Sequence, residues 1–250
     1  MAPTFDPYTQ NVTFHSGDGS PFNVPIVELN KFVQYNTKVE INYGAQLGAS
    51  VIVLFLVTLL TAPEKRRTIV FGLNAAALFC SVTRMLCMSI YFTTMFSETY
   101  TYFSGDFSGV PTSAYANSIL GVCMTTVLLI CIEFSLLVQT HAICSTLRSV
   151  YRRIIVSFSL IVVFLTIGFR LGMTAENCKA IAGANNFSAF VWIQSANNII
   201  MTASVFYFST IFVAKLGYAI YSRKKLGMEG FGAMQVIFIM SCQSMVVPDK

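Results

Sequence analysis

Charged side chains are scarce in this chain. Asp, Glu, Lys and Arg make up 11% of its 250 residues, while hydrophobic residues make up 55% and aromatics 14%. A soluble domain carries about 25% charge. The mean hydropathy is +0.66, so there is too little polar surface to cover a globule in water, and the bilayer is the expected solvent. The net charge of +5 is not gathered into a Lys/Arg stripe with interleaved aromatics, which excludes a nucleic-acid partner. Proline is nearly missing from the interior: between Ile26 and Val247 only Pro63 and Pro111 occur. Neither repeated halves nor Gly/Pro-broken helices at matching positions are present, which argues against a small transporter.

Catalytic signatures are missing too. There is no G-x-S-x-G, no H-E-x-x-H and no P-loop, so an enzyme is not expected, and neither is a cofactor. No inward pair of carboxylates suggests an intramembrane protease. The seven cysteines include no CxxC pair. Most lie inside apolar runs, where Cys behaves as a small hydrophobe, so metal and redox chemistry are not expected. Cys178 alone is expected on the outside, with no partner in another outer loop. The start, Met-Ala-Pro-Thr-Phe-Asp-Pro-Tyr, has neither a basic stretch nor a short apolar core. The first long apolar run is therefore expected to do the targeting.

What the chain does have is apolar length. Residues 1–40 are polar, with turn signals at Ser16-Gly17-Asp18-Gly19-Ser20 and prolines at Pro21 and Pro25. This segment is expected outside the membrane, with short paired strands and a short helix over 27–35. Spans are expected at 41–61, 68–92, 114–140, 154–173, 188–215 and 231–248, with 249–250 as terminal residues. Each has roughly 20 residues or more, or just under in the sixth, enough to cross about 30 Å of hydrocarbon.

Basic residues set the orientation. Lys65, Arg66 and Arg67, then Arg148, Arg152 and Arg153, then Arg223, Lys224 and Lys225 follow spans one, three and five. The other two loops hold Lys179 as their only base. The basic loops belong in the cytoplasm, which puts the N-terminus outside. The sequons at Asn11 and Asn186 both fall on the predicted outer side as glycosylation sites. His15 and His141 fall on opposite sides and cannot form one site.

Four ionisable residues lie in or near the spans. Arg170 and Lys215 are near span ends and can snorkel to the interface. Arg84 and Glu133 are deeper, on neighbouring spans, where a charge is costly and is normally paired or functional. They either pair with each other or each face a polar bundle interior. A pair would make Arg84→Leu lower surface expression and Glu133→Leu partly restore it. Gly44 and Gly48, four apart in span one, let two helix backbones approach closely. In span six, Ser241, Gln243 and Ser244 occupy more than one face and need partners, and Pro248 would kink a continuing helix.

These residues carry a resemblance. Ile239-Met-Ser-Cys-Gln-Ser-Met-Val-Val-Pro248 resembles the sixth-helix signature of fungal mating-pheromone receptors of the alpha-factor type. Ser222-Arg-Lys-Lys-Leu-Gly227 is similar to that family's third cytoplasmic loop, and Ile132-Glu-Phe-Ser-Leu-Leu-Val-Gln139 to its third helix. Asn11-Val-Thr and the Gly-Asp-Gly-Ser turn fit its outer segment. There is no Asp-Arg-Tyr after span three and no C-W-x-P in span six, unlike rhodopsin-like receptors.

The resemblance implies an all-α, seven-helix G-protein-coupled receptor in the plasma membrane. Here the end of helix six and helix seven would be lacking, leaving about six spans. It implies a secreted peptide pheromone as ligand and a heterotrimeric G protein as partner. By resemblance, Arg223, Lys224, Lys225 and Leu226 face the G protein. Gln243, Ser244 and Pro248 form a helix-six switch, Gln139 joins polar packing on helix three, and Gly44 and Gly48 support a homodimer through helix one. The rival reading is a truncated, non-signalling product that dimerises with an intact receptor and dampens it.

Overall fold

A computed structural model gives the fold and describes residues 6–145, 148–183 and 191–225. The sixth span at 231–248 lies outside the described residues, and with it Gln243, Ser244 and Pro248. So do Leu226 and Asn186.

Two strands and seven α-helices are described. β1 (Asn11–His15) and β2 (Pro21–Pro25) precede α1 (Ile26–Leu60), α2 (Pro63–Arg66) and α3 (Ile69–Tyr91). A 3-10 turn at Met95–Ser97 and α4 (Thr99–Ser104) come next, followed by α5 (Thr112–Cys144), α6 (Ser149–Ala182) and α7 (Val191–Lys225). Among the described residues five helices, α1, α3, α5, α6 and α7, are long and apolar enough to cross a membrane. The shortest, α3, has 23 residues, about 35 Å at 1.5 Å per residue. The chain is an all-α, multi-pass membrane protein.

Four of the five long helices run past the expected spans, while α3 matches its span to within a residue at each end. The sequence suggested a short helix at 27–35 and a separate span from 41, but α1 is continuous over 35 residues. Nothing between Ile26 and Tyr43 breaks it, since Pro and Gly are both missing there. Pro25 sits just before it with an extended backbone, and Glu28 lies in its first turn, favourable to the helix dipole. At the other end Arg66 Nε donates to the Thr61 carbonyl at 2.8 Å and Nη2 to that of Leu59 at 3.4 Å. These bonds serve carbonyls that the helix end leaves open. No residue of α1 is buried. Ile52, Phe55, Leu59 and Leu60 are all exposed, an apolar surface that calls for lipid or another helix.

Contacts divide the chain into two compact units. The first is Met1–Arg66, Ala75–Leu128 and Glu176–Asn186; the second is Arg67–Asn74, Leu129–Ala175 and Phe187–Lys250.

In the first unit β1 and β2 form an antiparallel hairpin with Val12 opposite Val24 and Phe14 opposite Phe22. The two phenyl rings stack at 5.7 Å. Gly19 closes the turn at φ 81°, a left-handed conformation that glycine adopts without a steric penalty. Asp18 Oδ1 accepts from the Ser20 amide at 3.0 Å and the Ser20 hydroxyl at 2.6 Å. Gly17 lies so close to Asp106 that a Cβ there would sit 3.0 Å from Oδ2. Asp106 Oδ1 in turn accepts from the Ser108 amide at 3.0 Å.

The stretch 93–113, expected as a plain outer loop, is folded, because its aromatics have partners. Phe32 of α1 stacks on Tyr102 at 4.3 Å and meets Phe103 edge-on at 5.7 Å. Phe96 packs against Tyr91, Phe107 and Tyr115 at 5.8, 6.0 and 4.8 Å. Asn36 Nδ2 donates to Ser97 Oγ at 3.2 Å. Deeper in the unit, Asn117 Nδ2 donates to the Cys87 carbonyl at 2.9 Å. A Cβ on Gly121 would lie 3.4 Å from that of Cys87, so α3 and α5 approach closely here.

Two carboxylates outside the spans give a pH prediction. The Ser20 hydroxyl and amide hold Asp18 below its ordinary value, and those of Ser108 do the same for Asp106. A depressed folded value means the stabilisation is present above the ordinary carboxylate range and lost as pH falls through the folded value. The protection of the Ser20 and Ser108 amides, measured against the intrinsic exchange rate at each pH, should therefore fall below about pH 4 and be retained at neutral pH. Asp18→Ala should remove the protection of Ser20 at neutral pH as well. Unchanged protection on acidification would show that the carboxylates do not hold these turns.

Candidate functional site

The second unit carries the polar interior. Along α5, Glu133, Thr140 and Cys144 are buried. Along α7, Asn197, Ser204 and Phe208 are buried. Both sets follow the spacing i, i+7, i+11, which keeps one helix face within about 20°. These residues form one inward stripe on each helix, and α5 buries a further face at Ser135.

Glu133, with 1% of its surface exposed, is held by one hydroxyl. Ser204 Oγ lies 2.8 Å from Oε1 and 3.0 Å from Oε2. This tie joins α5 to α7 in the apolar part of the unit, where polar groups need partners from the protein itself. A second chain starts at Asn74 on α3. Ser135 Oγ donates to Asn74 Oδ1 at 2.7 Å, and Gln139 Nε2 donates to Ser135 Oγ at 3.0 Å. Ser159 on α6 is fully buried; its hydroxyl bonds the Ile155 carbonyl at 2.8 Å and meets the Tyr207 hydroxyl of α7 at 3.2 Å. Most other hydroxyls here bond back four residues along their own helix, as Thr166 does to Val162 and Thr210 to Phe206. Such bonds let a hydroxyl sit in a span without any cross-helix partner.

A cavity of about 240 Å³ opens between α5 and α7, walled by Leu136, Phe208 and Phe212 with Gln139, Thr140 and Ser209 as its polar groups. It continues the polar chain from Asn74 through Ser135. Among the described residues no cluster of His, Cys, Asp and Glu is placed to hold a metal ion.

The residues singled out from the sequence fall in several places. Glu133 and Gln139 are in this interior. Arg84, on α3, belongs to the first unit, and its Nε is buried without a hydrogen-bond partner. Arg170 Nη1 reaches Met173 Sδ at 3.8 Å. Lys215 Nζ lies 5.9 Å from the centre of the Tyr218 ring, a cation–π distance. Gly44 and Gly48 face open space, with nothing within 4 Å of an added Cβ at either. Asn11 is exposed on β1. Helix α7 carries the backbone through Arg223, Lys224 and Lys225. Cys178, expected to have no partner in another outer loop, has a neighbour in Cys123 of α5; both thiols are free.

Several contributors were not found from the sequence: Asn74, Ser135, Ser159, Asn197, Ser204 and Tyr207. The available signal was the seven-residue interval between Asn197 and Ser204 inside an apolar run, which puts two polar side chains on one face.

Known proteins resemble this chain in sequence. The chain is 27% identical to the pheromone P-factor receptor of Schizosaccharomyces pombe over 96% of its own length and 70% of that receptor. It is 27% identical to the pheromone alpha factor receptor of Saccharomyces cerevisiae and 25% to that of Lachancea kluyveri. Each of these alignments covers 98% of this chain and 57% of the receptor. The chain thus spans little more than half the length of these two alpha factor receptors. The pattern of the family described as fungal pheromone mating factor STE2 GPCR runs through residues 5–249, and the chain belongs to that family.

Proposed function

We propose that this chain is the receptor for a secreted peptide mating pheromone, binding the peptide at its outer face and passing the signal to a heterotrimeric G protein inside. Membership of the pheromone receptor family over residues 5–249 carries this reading. The geometry supports it: a buried hydroxyl–carboxyl tie couples α5 to α7, and such a tie can be remade in a second arrangement. Activation is then a population shift, and a peptide favours the second arrangement only by its difference in affinity for the two.

The basic residues Lys65 to Arg67, Arg148 to Arg153 and Arg223 to Lys225 support a cytoplasmic location for their loops, and hence an outer N-terminus in the plasma membrane. The unburied α1, with open space at Gly44 and Gly48, supports a homodimer through that helix, with lipid on the rest of its surface.

The test is a pheromone-response assay in fungal cells that lack their own receptor and express the full coding sequence containing this chain. Synthetic alpha-factor and P-factor peptides serve as probes. At least one should raise the G-protein-dependent response above that of cells without receptor. No response to either, with receptor detected at the surface and a control receptor responding, would overturn the proposal.

A further inference from the structure

Asn197 stands apart from most of the other polar side chains buried in its unit. Glu133, Ser135, Ser159, Thr166 and Ser204 all have hydrogen-bond partners. Asn197 is 1% exposed, yet neither its Nδ2 nor its Oδ1 has one. A carboxamide presents an acceptor and two donors. Leaving them unmade in a dry interior is unfavourable, and such groups are rare enough in native structures to call for a reason. Leucine would fill the position at no such cost. A residue that only holds helices together would be paired, as Ser204 is.

Its position supplies the reason. Asn197 is six residues past Val191, the first residue of α7, about 9 Å along the axis from that end. The proposed topology puts that end at the outer face. Ser204, on the same face two turns further in, is tied to Glu133. A displacement of α7 at Asn197 therefore bears directly on that tie.

We infer that Asn197 is a ligand-coupling residue: its carboxamide, unpaired in the conformation described here, gains its hydrogen bonds from a backbone peptide group of the bound pheromone. A peptide group carries one N–H donor and one C=O acceptor, the complement of a carboxamide edge. This inference rests on the receptor reading above. It identifies the residue through which the peptide backbone acts on α7.

Asn197→Leu tests it in the receptor expressed from its full coding sequence. Without peptide, the variant should melt at the wild-type temperature or higher, because an unpaired amide has been removed. With peptide, its potency should fall by about tenfold or more, since a buried hydrogen-bonding group is lost from the complex. The probe for direct contact is a set of peptides N-methylated at single backbone positions. One of them should lose potency on wild type and lose nothing further on Asn197→Leu. If Asn197→Leu lowers the ligand-free melting temperature, or leaves potency unchanged, the inference is wrong. It is also wrong if every N-methyl peptide loses as much on the variant as on wild type. A wild-type receptor that ignores all peptides overturns the receptor reading instead, and the ligand-free melting comparison still bears on Asn197.

Discussion

Ser204→Ala should lower the stability of the solubilised receptor by about 2 kcal/mol, and should cost close to nothing once Glu133 is replaced by Leu. The first part follows from what Ser204 does. Its hydroxyl lies within hydrogen-bond distance of both oxygens of a carboxyl that is 1% exposed. Removing it strands a polar group in a medium where no water replaces the lost bond. The loss should therefore exceed the average of about 0.6 kcal/mol for hydrogen bonds between membrane helices. The second part follows from the asymmetry of hydrogen bonding: removing one partner is costly, whereas replacing both by apolar groups can be neutral. Thermal melting of the wild type, both single variants and the double variant closes the cycle. Additivity within about 0.4 kcal/mol would mean that the two residues do not interact energetically.

The same pair shows what was legible in the sequence. Glu133 stood out because a carboxyl in an apolar run is rare. Its partner did not, because serine in such a run is common and most membrane serines bond their own helix, as Ser159 partly does. The sequence left Glu133 between Arg84 and a polar interior; the interior supplies Ser204. Helix existence was legible because hydropathy alone decides it. The ends were not, since α1, α5, α6 and α7 continue as helix into polar residues where hydropathy falls but nothing breaks the backbone. The folded segment between α3 and α5 was hidden for another reason. Its aromatics stack on Phe32, about seventy residues earlier, and no local pattern records a partner that far away. The hairpin was readable because its turn chemistry is local: Gly19 supplies the positive φ, and Asp18 caps Ser20.

Reversing the inner basic cluster, with Arg223→Glu, Lys224→Glu and Lys225→Glu together, should cut peptide-stimulated G-protein activation by about tenfold or more while leaving peptide binding intact. The three residues close α7, at the end opposite the one where the peptide is proposed to act. An acidic partner approaching this end would meet like charge instead of opposite charge, which slows encounter and disfavours the docked complex. The proposed orientation should survive, because Lys65, Arg66, Arg67, Arg148, Arg152 and Arg153 still favour the cytoplasm for their loops. Radioligand or fluorescent-peptide binding on intact cells, read beside G-protein activation in membranes, separates the two effects. Neutralising the same residues to Gln should give a smaller loss, and the wild-type response should weaken as salt shortens the Debye length from about 10 Å toward 3 Å. Equal potency and amplitude in wild type and triple variant would show that the cluster sets topology alone. Loss of peptide binding in the variant would instead place these residues in the fold of the receptor, because a charge at this end of α7 can reach the peptide only through the helix itself.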